Sequence, residues 1–280
     1  MKQIQWYPGH MFKSIKEIKV NVKLVDIVLV LLDARLPLSS MNPDILTIVK
    51  TKPCVMLFNK SNLADDAELN KWLSIYQFRG FKTLKIDALS GKNVNRIHSA
   101  AKEVLKDKIA RDEKRGIKQR AFKTMILGIP NVGKSTLINK LTNSSATKTA
   151  NTPGVTRVQQ WVRLSSEFEL LDTPGVLWPK FDLNIGFKLA ITGAITDRIL
   201  PLDEVAHKAV EIVRDHYPDR ITQRYGFNPL GFTPAEIVEK IGLVRNAVIK
   251  NNEIDFERVY GIVLKDIRNG QLGGLTFDFK

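Results

Sequence analysis

The chain has little cysteine and no long apolar run. Cys54 is the one cysteine among 280 residues, so no internal disulfide can form, and its neighbours (PCVMLF) predict a small buried side chain. The longest apolar stretch, Val25 to Leu32, contains Asp26 and is far too short to span a bilayer. The opening MKQIQWYPGH lacks the apolar core of a signal peptide. We therefore expect a cytoplasmic protein with no membrane partner.

Acidic residues are scarce in the first part of the chain. The formal net charge is +14, and residues 1–180 hold 30 Lys/Arg against 15 Asp/Glu, whereas residues 181–280 hold 13 against 14. The densest basic stretch, Lys102 to Lys123, has nine basic and four acidic residues, which is also typical of a solvated helix face. Over the whole first part, however, the excess favours nucleic acid as a partner.

The first 180 residues alternate between apolar strand candidates and helix candidates. The strand candidates are VDIVLVLLD, CVMLFN, KTLKID and FKTMILG, followed by the pair VQQWVRL and FELLD. The helix candidates are KEIKVNVKL, Pro43–Lys50, Asp65–Gln77, Val94–Lys114 and Lys134–Leu141. Continuous apolar strands that alternate with helices predict an α/β fold, with a mostly parallel sheet covered by helices on both faces.

After Pro179 the pattern becomes helical. The spacing of apolar residues predicts helices over Glu204–His216, Pro234–Ile241 and Asp255–Ile267. The candidate caps or near-caps of these helices are Asp203, Thr233 and Asn252. We therefore expect one domain over residues 1–180 and an all-helical domain over residues 181–280. The final NGQLGGLTFDFK is rich in turn residues and is expected to be loosely held.

A phosphate-binding loop is indicated by GIPNVGKS, from Gly128 to Ser135, which matches GxxxxGK[ST]. It follows an apolar strand and precedes a helix, the context that this motif requires. Lys134 can reach the β- and γ-phosphate oxygens, and the Ser135 hydroxyl can hold Mg²⁺. The expected phosphate contacts come from Asn131, Val132, Gly133, Lys134, Ser135 and Thr136.

Two further segments resemble nucleotide-sensing switches. In LLDTPG, which ends at Gly175, Asp172 is placed to hold Mg²⁺ through water, and the Gly175 N–H is placed to sense the γ-phosphate. The preceding NTPGVTR offers Thr156 as the switch threonine that binds Mg²⁺ and the γ-phosphate, with Thr152 as the alternative.

A base-binding segment is indicated by FNKSN, residues 58–62, which resembles the NKxD motif of guanine-nucleotide proteins. Asn59 and Lys60 are expected to tie loops together and to cover the base, with Ser61 beside them. Asn62 stands where the motif has Asp. An amide has one oxygen and also presents a donor, so that xanthine or a relaxed base choice is left open. One strand later, Asp87-Ala88 occupies the place whose N–H meets guanine O6.

The order of these motifs is unusual, because an ordinary GTPase has its phosphate loop first. Here Gly128 comes 69 residues after Asn59. This order predicts a circular permutation, which leaves the sheet unchanged because domain termini lie close together. The chain then leaves the GTPase fold just after DTPG. A γ-phosphate contact at Gly175 can therefore bias the position of residues 185–280.

Taken in order, WYPGHM, the NKxD-like segment, GIPNVGKS, TPGVT and DTPGVLWPK resemble the circularly permuted GTPases of the YlqF/RbgA family, which assemble the bacterial large ribosomal subunit. The resemblance covers nearly the whole chain, and Asn62 is its clearest departure. It implies hydrolysis of GTP to GDP and phosphate with Mg²⁺ and K⁺, stimulated by the 50S subunit precursor. It also implies contacts with rRNA and ribosomal proteins, late in maturation, that the nucleotide state makes and releases. We expect a monomer.

Hydrolysis needs a group that orients water, and the usual Gln after DxxG is replaced by Val176. His10 in WYPGHM is the candidate, because an imidazole can orient or deprotonate water near neutral pH, and the resemblance points to the same residue. Alternatively, His10 contacts rRNA or caps the next helix. Asn131 can coordinate K⁺ bridging the phosphates, as the resemblance supports, or can simply stabilise the loop.

Three other functions are left open by the residues alone. The first is a nucleotide-gated RNA-binding module with negligible hydrolysis. The second is a GTPase that acts on tRNA or membranes, which the absence of a modification domain and of a membrane helix disfavours. The third is an ATPase, because a phosphate loop does not select a base, and NKSN argues only weakly against it.

Overall fold

The protein is described from a computed structural model that covers residues 10–117, 120–142, 161–171, 182–197 and 201–280, with side chains from Ile15 onwards except that of Val162. Six strands form one sheet in the order β3-β2-β1-β4-β6-β5. The strands are β1 (Ile27–Asp33), β2 (Cys54–Asn59), β3 (Lys82–Lys85), β4 (Phe122–Gly128), β5 (Trp161–Arg163) and β6 (Phe168–Leu171). All neighbouring pairs are parallel except β5 with β6, which are antiparallel.

The middle of the sheet is apolar on both faces. Every residue of β1 (IVLVLLD) and of β2 (CVMLFN) is buried, as expected for parallel strands with layers on both sides. In the register, Val30 lies opposite Met56 on one side and Leu127 on the other. The predicted α/β class with a mostly parallel sheet is confirmed.

Four of the helices that accompany the strands lie within two residues of the predicted bounds, whereas the first, predicted as KEIKVNVKL, begins six residues earlier at His10 and ends at Asn21. The helices are α1 (His10–Asn21), α2 (Pro43–Val49), α3 (Asp66–Phe78), α4 (Arg96–Lys114) and α5 (Lys134–Leu141). The start of α2 is fixed by Asn42, whose side chain accepts a hydrogen bond from Asp44 N, and by Pro43 at the first helical position. Short 3₁₀ helices cover Val22–Leu24, Ser61–Leu63 and Lys250–Asn252.

The chain divides into two compact units. The first comprises residues up to Asp33, Ser40–Ser61 and Asn70–Lys180, and the second comprises Ala34–Ser39, Asn62–Leu69 and Phe181–Lys280. The second unit thus includes two short segments from the early part of the chain. The boundaries 1–180 and 181–280 stay a prediction.

Helices dominate the second unit. They are α6 (Leu183–Ile191), α7 (Leu202–His216), α8 (Pro218–Tyr225), α9 (Pro234–Val244) and α10 (Phe256–Arg268). The core lies where α7 meets α9 and α10, around fully buried Val205, Ile237 and Val259. The predicted helical character is therefore seen, although α6 and α8 were not predicted.

The cap predictions for these helices had mixed outcomes. Thr233 caps α9 in a reciprocal capping box with Glu236, as predicted. Asn252 was wrong as the cap of α10, because Asp255 performs that role by accepting from Arg258 N. Asp203 lies in the first turn of α7, after Pro201 at the cap position. There its negative charge interacts favourably with the positive partial charge at the amino terminus of the helix, although its side chain does not cap the helix.

The expectation of a loosely held tail was wrong. Leu275, Thr276, Phe277 and Asp278 are each at most 1% exposed. Leu275 N donates to Leu63 O at 2.9 Å, and Phe277 N donates to Arg35 O at 2.9 Å. The prediction considered the turn-rich composition and overlooked the alternating apolar residues Leu275 and Phe277, which are buried in the second unit.

Asp278 holds this tail through four contacts. Its carboxylate accepts from Leu38 N at 2.8 Å, from Ser39 N at 2.7 Å and from Ser39 Oγ at 2.5 Å, and it pairs with Lys188 Nζ at 3.0 Å. The side chain is 1% exposed. Removal of such a carboxylate leaves buried donors without an acceptor, which is costly.

We predict that Asp278→Ala lowers the free energy of unfolding by about 3 kcal/mol. Urea unfolding followed by circular dichroism measures the change. The control is Asp215→Ala, since Asp215 is 46% exposed and pairs with the adjacent Arg214; it should cost less than about 1 kcal/mol. An equal loss for both variants would contradict a structural role for the Asp278 contacts.

Candidate nucleotide-binding site

The predicted site residues lie where three adjacent parallel strands end. Asp33 closes β1, Asn59 closes β2 and Gly128 closes β4. Asp33 lies opposite Asn59 in the register, and Leu31 lies opposite Gly128. The register therefore brings the base segment and the phosphate loop, far apart in the chain, to the same edge of the sheet.

The phosphate loop runs from the end of β4 to the start of α5. Two of its residues have positive φ, Asn131 at 55° and Gly133 at 100°. A Cβ on Gly128 would lie 2.6 Å from Leu31 O, and one on Gly133 would collide with Asn59 Nδ2. Glycine is thus required at Gly128 because the backbone of β1 approaches closely, and at Gly133 because of its positive φ and the neighbouring Asn59 amide.

The start of α5 presents the groups that a phosphate requires. Lys134 Nζ lies 3.1 Å from Gly128 O and 3.0 Å from Ile129 O, so the ammonium group points back over the loop. Ser135 and Thr136 are exposed on the first helical turn. The backbone N–H groups of this turn are not used within the helix, and they favour an anion at this end.

The side-chain amide of Asn59 joins the two loops of the site. Its Nδ2 donates to Val132 O at 2.8 Å, and its Oδ1 accepts from Ala88 N at 2.8 Å. Asn59 is 3% exposed, so both contacts are shielded from water. One side chain thereby fixes the phosphate loop relative to the loop at Asp87-Ala88.

Lys60 makes a second link to the phosphate loop. Its φ is 59°, and its Nζ lies 3.0 Å from Asp33 Oδ2 and 2.9 Å from Asn131 O. Sequence reasoning did not find Asp33. The sequence does carry an indication of its role, because an acidic residue at the end of an otherwise apolar, buried strand needs a cationic partner.

The remaining base-segment residues hold short turns. Ser61 N donates to Ile86 O at 3.1 Å, and Asp87 Oδ1 accepts from Leu89 N at 3.0 Å. Asn62 is exposed in the 3₁₀ helix that follows β2. The structure therefore brings Asn59, Lys60 and Asp87-Ala88 together with the phosphate loop.

Several predicted residues lie outside the described part of the chain. These are Thr152, Thr156, Asp172, Gly175 and Val176. His10 is described by its backbone alone, as the first residue of α1. Their roles stay predictions.

The other histidines described here pack against aromatic rings. The ring of His98 lies 5.1 Å from that of Phe168, and the ring of His216 stacks on Phe279 at 3.5 Å. Burial is the main cause that lowers the pKa of His98. Burial likewise raises the pKa of the Cys54 thiol to about 12, consistent with the predicted small apolar role.

A magnesium ion fits the chemistry of the phosphate loop. Mg²⁺ prefers oxygen ligands and binds with few protein contacts beside the phosphates, and the exposed Ser135 hydroxyl at the start of α5 is such a ligand. Among the described residues, no group of three or more His, Cys, Asp and Glu is arranged to hold a metal. No helix within the described ranges is long and apolar enough to cross a membrane.

The parallel sheet, the loop after β4 and the amide link from Asn59 define a P-loop GTPase. A family model described as "50S ribosome-binding GTPase" matches residues 123–223. The chain belongs to the family of ribosome biogenesis GTPase A. It is 45% identical to the protein of that name from Priestia megaterium, over 98% of this chain and 96% of that protein.

More distant relatives extend over the same length. The Bacillus cereus ribosome biogenesis GTPase A is 43% identical over 98% of this chain and 93% of its own. The probable ribosome biogenesis GTPase A from Mycoplasma pneumoniae is 32% identical over 99% of this chain and 96% of its own. A crystal structure of GNP-bound YlqF from T. maritima superposes with a TM-score of 0.67 at 23% identity, covering 95% of this chain and 97% of that chain, and shows the shared fold.

We predict that Asn59→Ala weakens GTP and GDP binding roughly tenfold or more, because Val132 O and Ala88 N both lose a buried partner. Titration with fluorescent nucleotides measures both affinities. The matched control is Gln77→Ala, which removes the Nε2 contact to Thr83 Oγ1 (2.8 Å) at the other end of the sheet. If both variants bind nucleotide like the parent, the Asn59 link does not shape the site.

Proposed function

We propose that the chain is a GTP-hydrolysing assembly factor for late maturation of the large (50S) ribosomal subunit, acting in the cytoplasm as a monomer. The observation that carries the proposal is the attachment of Asn59 and Lys60 to the phosphate loop, which joins base and phosphate recognition in one site. The family relationship over nearly the whole chain supports the ribosomal role.

In this proposal different segments of the chain bind different parts of the nucleotide. The loop from Asn131 to Thr136 wraps the phosphates and Lys134 meets the β- and γ-oxygens. The segments Asn59–Asn62 and Asp87-Ala88 face the base. Ser135, Thr156 and Asp172 hold Mg²⁺, which when bound neutralises charge on the phosphate oxygens, and the Gly175 N–H contacts the γ-phosphate.

Hydrolysis transfers the γ-phosphoryl group of GTP to water: the bond from the γ-phosphorus to the bridging oxygen breaks, so that GDP leaves, and a bond to the water oxygen forms. The proton that the water gives up passes to the phosphate product or to solvent. Val176 cannot orient that water, so His10 is assigned this role. Asn131 would hold K⁺, which when bound would add positive charge to the phosphate site.

The charge distribution supports rRNA as a partner. The excess of basic residues lies in residues 1–180, and phosphate contacts supply most of the affinity of such surfaces. The helical residues 181–280 are assigned to rRNA or ribosomal protein contacts. Because the chain enters them directly after DTPG, as a circular permutation requires, the nucleotide state at Gly175 controls docking and release.

The test is GTP hydrolysis in potassium buffer with and without purified large ribosomal subunits. We predict stimulation of at least about tenfold by the subunits, and a loss of rate when Na⁺ replaces K⁺. The hydrolysis rate measured with subunits should fall about 100-fold in His10→Ala, while GTP affinity stays near that of the parent.

Each outcome has a separate meaning. Bound GTP without stimulation would replace the proposal by a nucleotide-gated RNA-binding module, for which Val176 and Asn62 are the sequence features. Equal loss of binding and hydrolysis in His10→Ala would remove its catalytic assignment and leave the GTPase standing. A parent that prefers ATP in competition would overturn the base assignment.

Base selectivity tests Asn62 directly. We predict that Asn62→Asp tightens GTP relative to XTP by at least about tenfold, because a carboxylate accepts both guanine N–H groups. Competition of the two nucleotides against fluorescent GDP measures the ratio. Gln77→Ala, at the other end of the sheet, is the control, and a ratio unchanged in Asn62→Asp would show that Asn62 does not face the base.

A further inference from the structure

A basic cavity lies at the edge of the sheet opposite the nucleotide site. It has a volume of about 580 Å³ and is bounded by the starts of β2 and β3, the ends of α2 and α3, and one side of α4. The nucleotide site lies at the carboxyl ends of the same strands. Since β2 is six residues long, the two sites are separated by about 20 Å of strand. We call this cavity the amino-edge groove.

The charge of the groove is strongly unbalanced. Five cationic side chains line it, against one carboxylate, that of Glu103. The cations are Lys50, Lys52, Arg79, Lys82 and Lys106. Such a surface attracts an extended polyanion.

Two of the five cations are engaged within the protein. Lys82 pairs with Glu103 at 2.5 Å, and Lys52 Nζ donates to Val25 O at 2.9 Å. The other three, Lys50, Arg79 and Lys106, are exposed, and their side chains form no ion pair or hydrogen bond with another described residue. Three cations thus stay available after internal contacts are counted.

An exposed aromatic residue is adjacent in the chain to two residues of the groove. Phe78 lies in the chain between the lining residues Gln77 and Arg79, and it is 95% exposed. A phenylalanine so exposed contributes little to the core. An exposed ring beside cations suits the stacking of an unpaired base.

Neutralisation of helix dipoles explains only part of this arrangement. Helix α2 ends at Val49 and α3 ends at Phe78, so Lys50 and Arg79 complement carboxyl termini that carry negative partial charge. Lys106, however, lies in the middle of α4. Dipole compensation accounts neither for Lys106 nor for the exposure of Phe78.

We propose that the amino-edge groove binds a single-stranded segment of RNA, with its phosphates on Lys50, Arg79 and Lys106 and one base stacked on Phe78. The inference rests on the proposed ribosomal function and assigns one of its RNA contacts to the amino-edge groove. Because the groove and the nucleotide site lie at opposite ends of the strands, RNA and GTP bind the first unit together without competition.

The test uses the full-length protein and a fluorescein-labelled 12-nucleotide oligouridylate, whose binding is followed by anisotropy between 50 and 200 mM KCl. The groove variant combines Lys50→Gln, Arg79→Gln and Lys106→Gln. We expect its Kd to rise at least about tenfold. The slope of log K against log salt should lose about 2 units, from about 0.7 for each of three phosphate contacts.

A charge-matched control separates this site from general attraction. Lys16→Gln, Lys19→Gln and Arg163→Gln remove three exposed cations of the first unit, two on α1 and one on β5, that do not line the groove, and should leave the Kd within about twofold. Equal weakening in the two triple variants, or an unchanged Kd in the groove variant, would overturn the proposal.

Phe78 provides an independent readout. Phe78→Ala should raise the Kd roughly tenfold with an unchanged salt slope, because a base stack is lost and no charge is removed. Phe78→Tyr should bind like the parent, whereas Phe78→Leu should behave like Phe78→Ala. A Leu variant that binds as tightly as the parent would exclude stacking.

GTP hydrolysis distinguishes failure of this inference from failure of the proposed function. The groove variant should keep the hydrolysis rate of the parent without ribosomal subunits and should need more subunits for half-maximal stimulation. If the groove variant is stimulated like the parent at every subunit concentration, the groove is not the contact and the ribosomal function stands. If the parent itself is not stimulated, the ribosomal function fails.

Discussion

The nucleotide site depends on one buried amide, the side chain of Asn59. It has a donor for Val132 O and an acceptor for Ala88 N, both at 2.8 Å, and an acid or a hydroxyl could not serve both partners in the same geometry. Gly133 permits the approach, since a Cβ there would collide with Nδ2. The two loops are thereby held at a fixed spacing. A nucleotide that spans them therefore binds with a small entropy cost for ordering the loops.

Strand register explains why the order of the motifs does not disturb the site. Asp33 lies opposite Asn59, and Leu31 lies opposite Gly128, so three strand ends meet whatever the order in which the chain visits them. Lys60 then reaches both Asp33 and Asn131 O. The proposed permutation therefore changes where the chain goes after the site, and it leaves the contacts of the site intact.

Local patterns predicted the parts of the structure that local physics decides. The strands and the helices of the first unit follow from apolar runs and periodicity, and the phosphate loop follows from its spacing of Gly, Lys and Ser. Asp33 was missed because its partner, Lys60, becomes a neighbour only through strand register. Helix α8 could have been predicted, since Pro218 stands at its first position and Gly226, with a φ of 81°, ends it.

The tail shows what composition cannot decide. Its glycines and polar residues are typical of a loose end, yet Phe277 and Leu275 bond to Arg35 and Leu63 of the short early segments. Those segments, Ala34–Ser39 and Asn62–Leu69, begin directly after Asp33 and Ser61. The second unit is therefore connected to the first by peptide bonds at these points as well as after DTPG. The proposed coupling between nucleotide and helices thus has covalent routes from the ends of β1 and β2. Hydrogen bonds from the tail to both segments, and from Arg35 to Thr192 O, bind those segments to the helical unit.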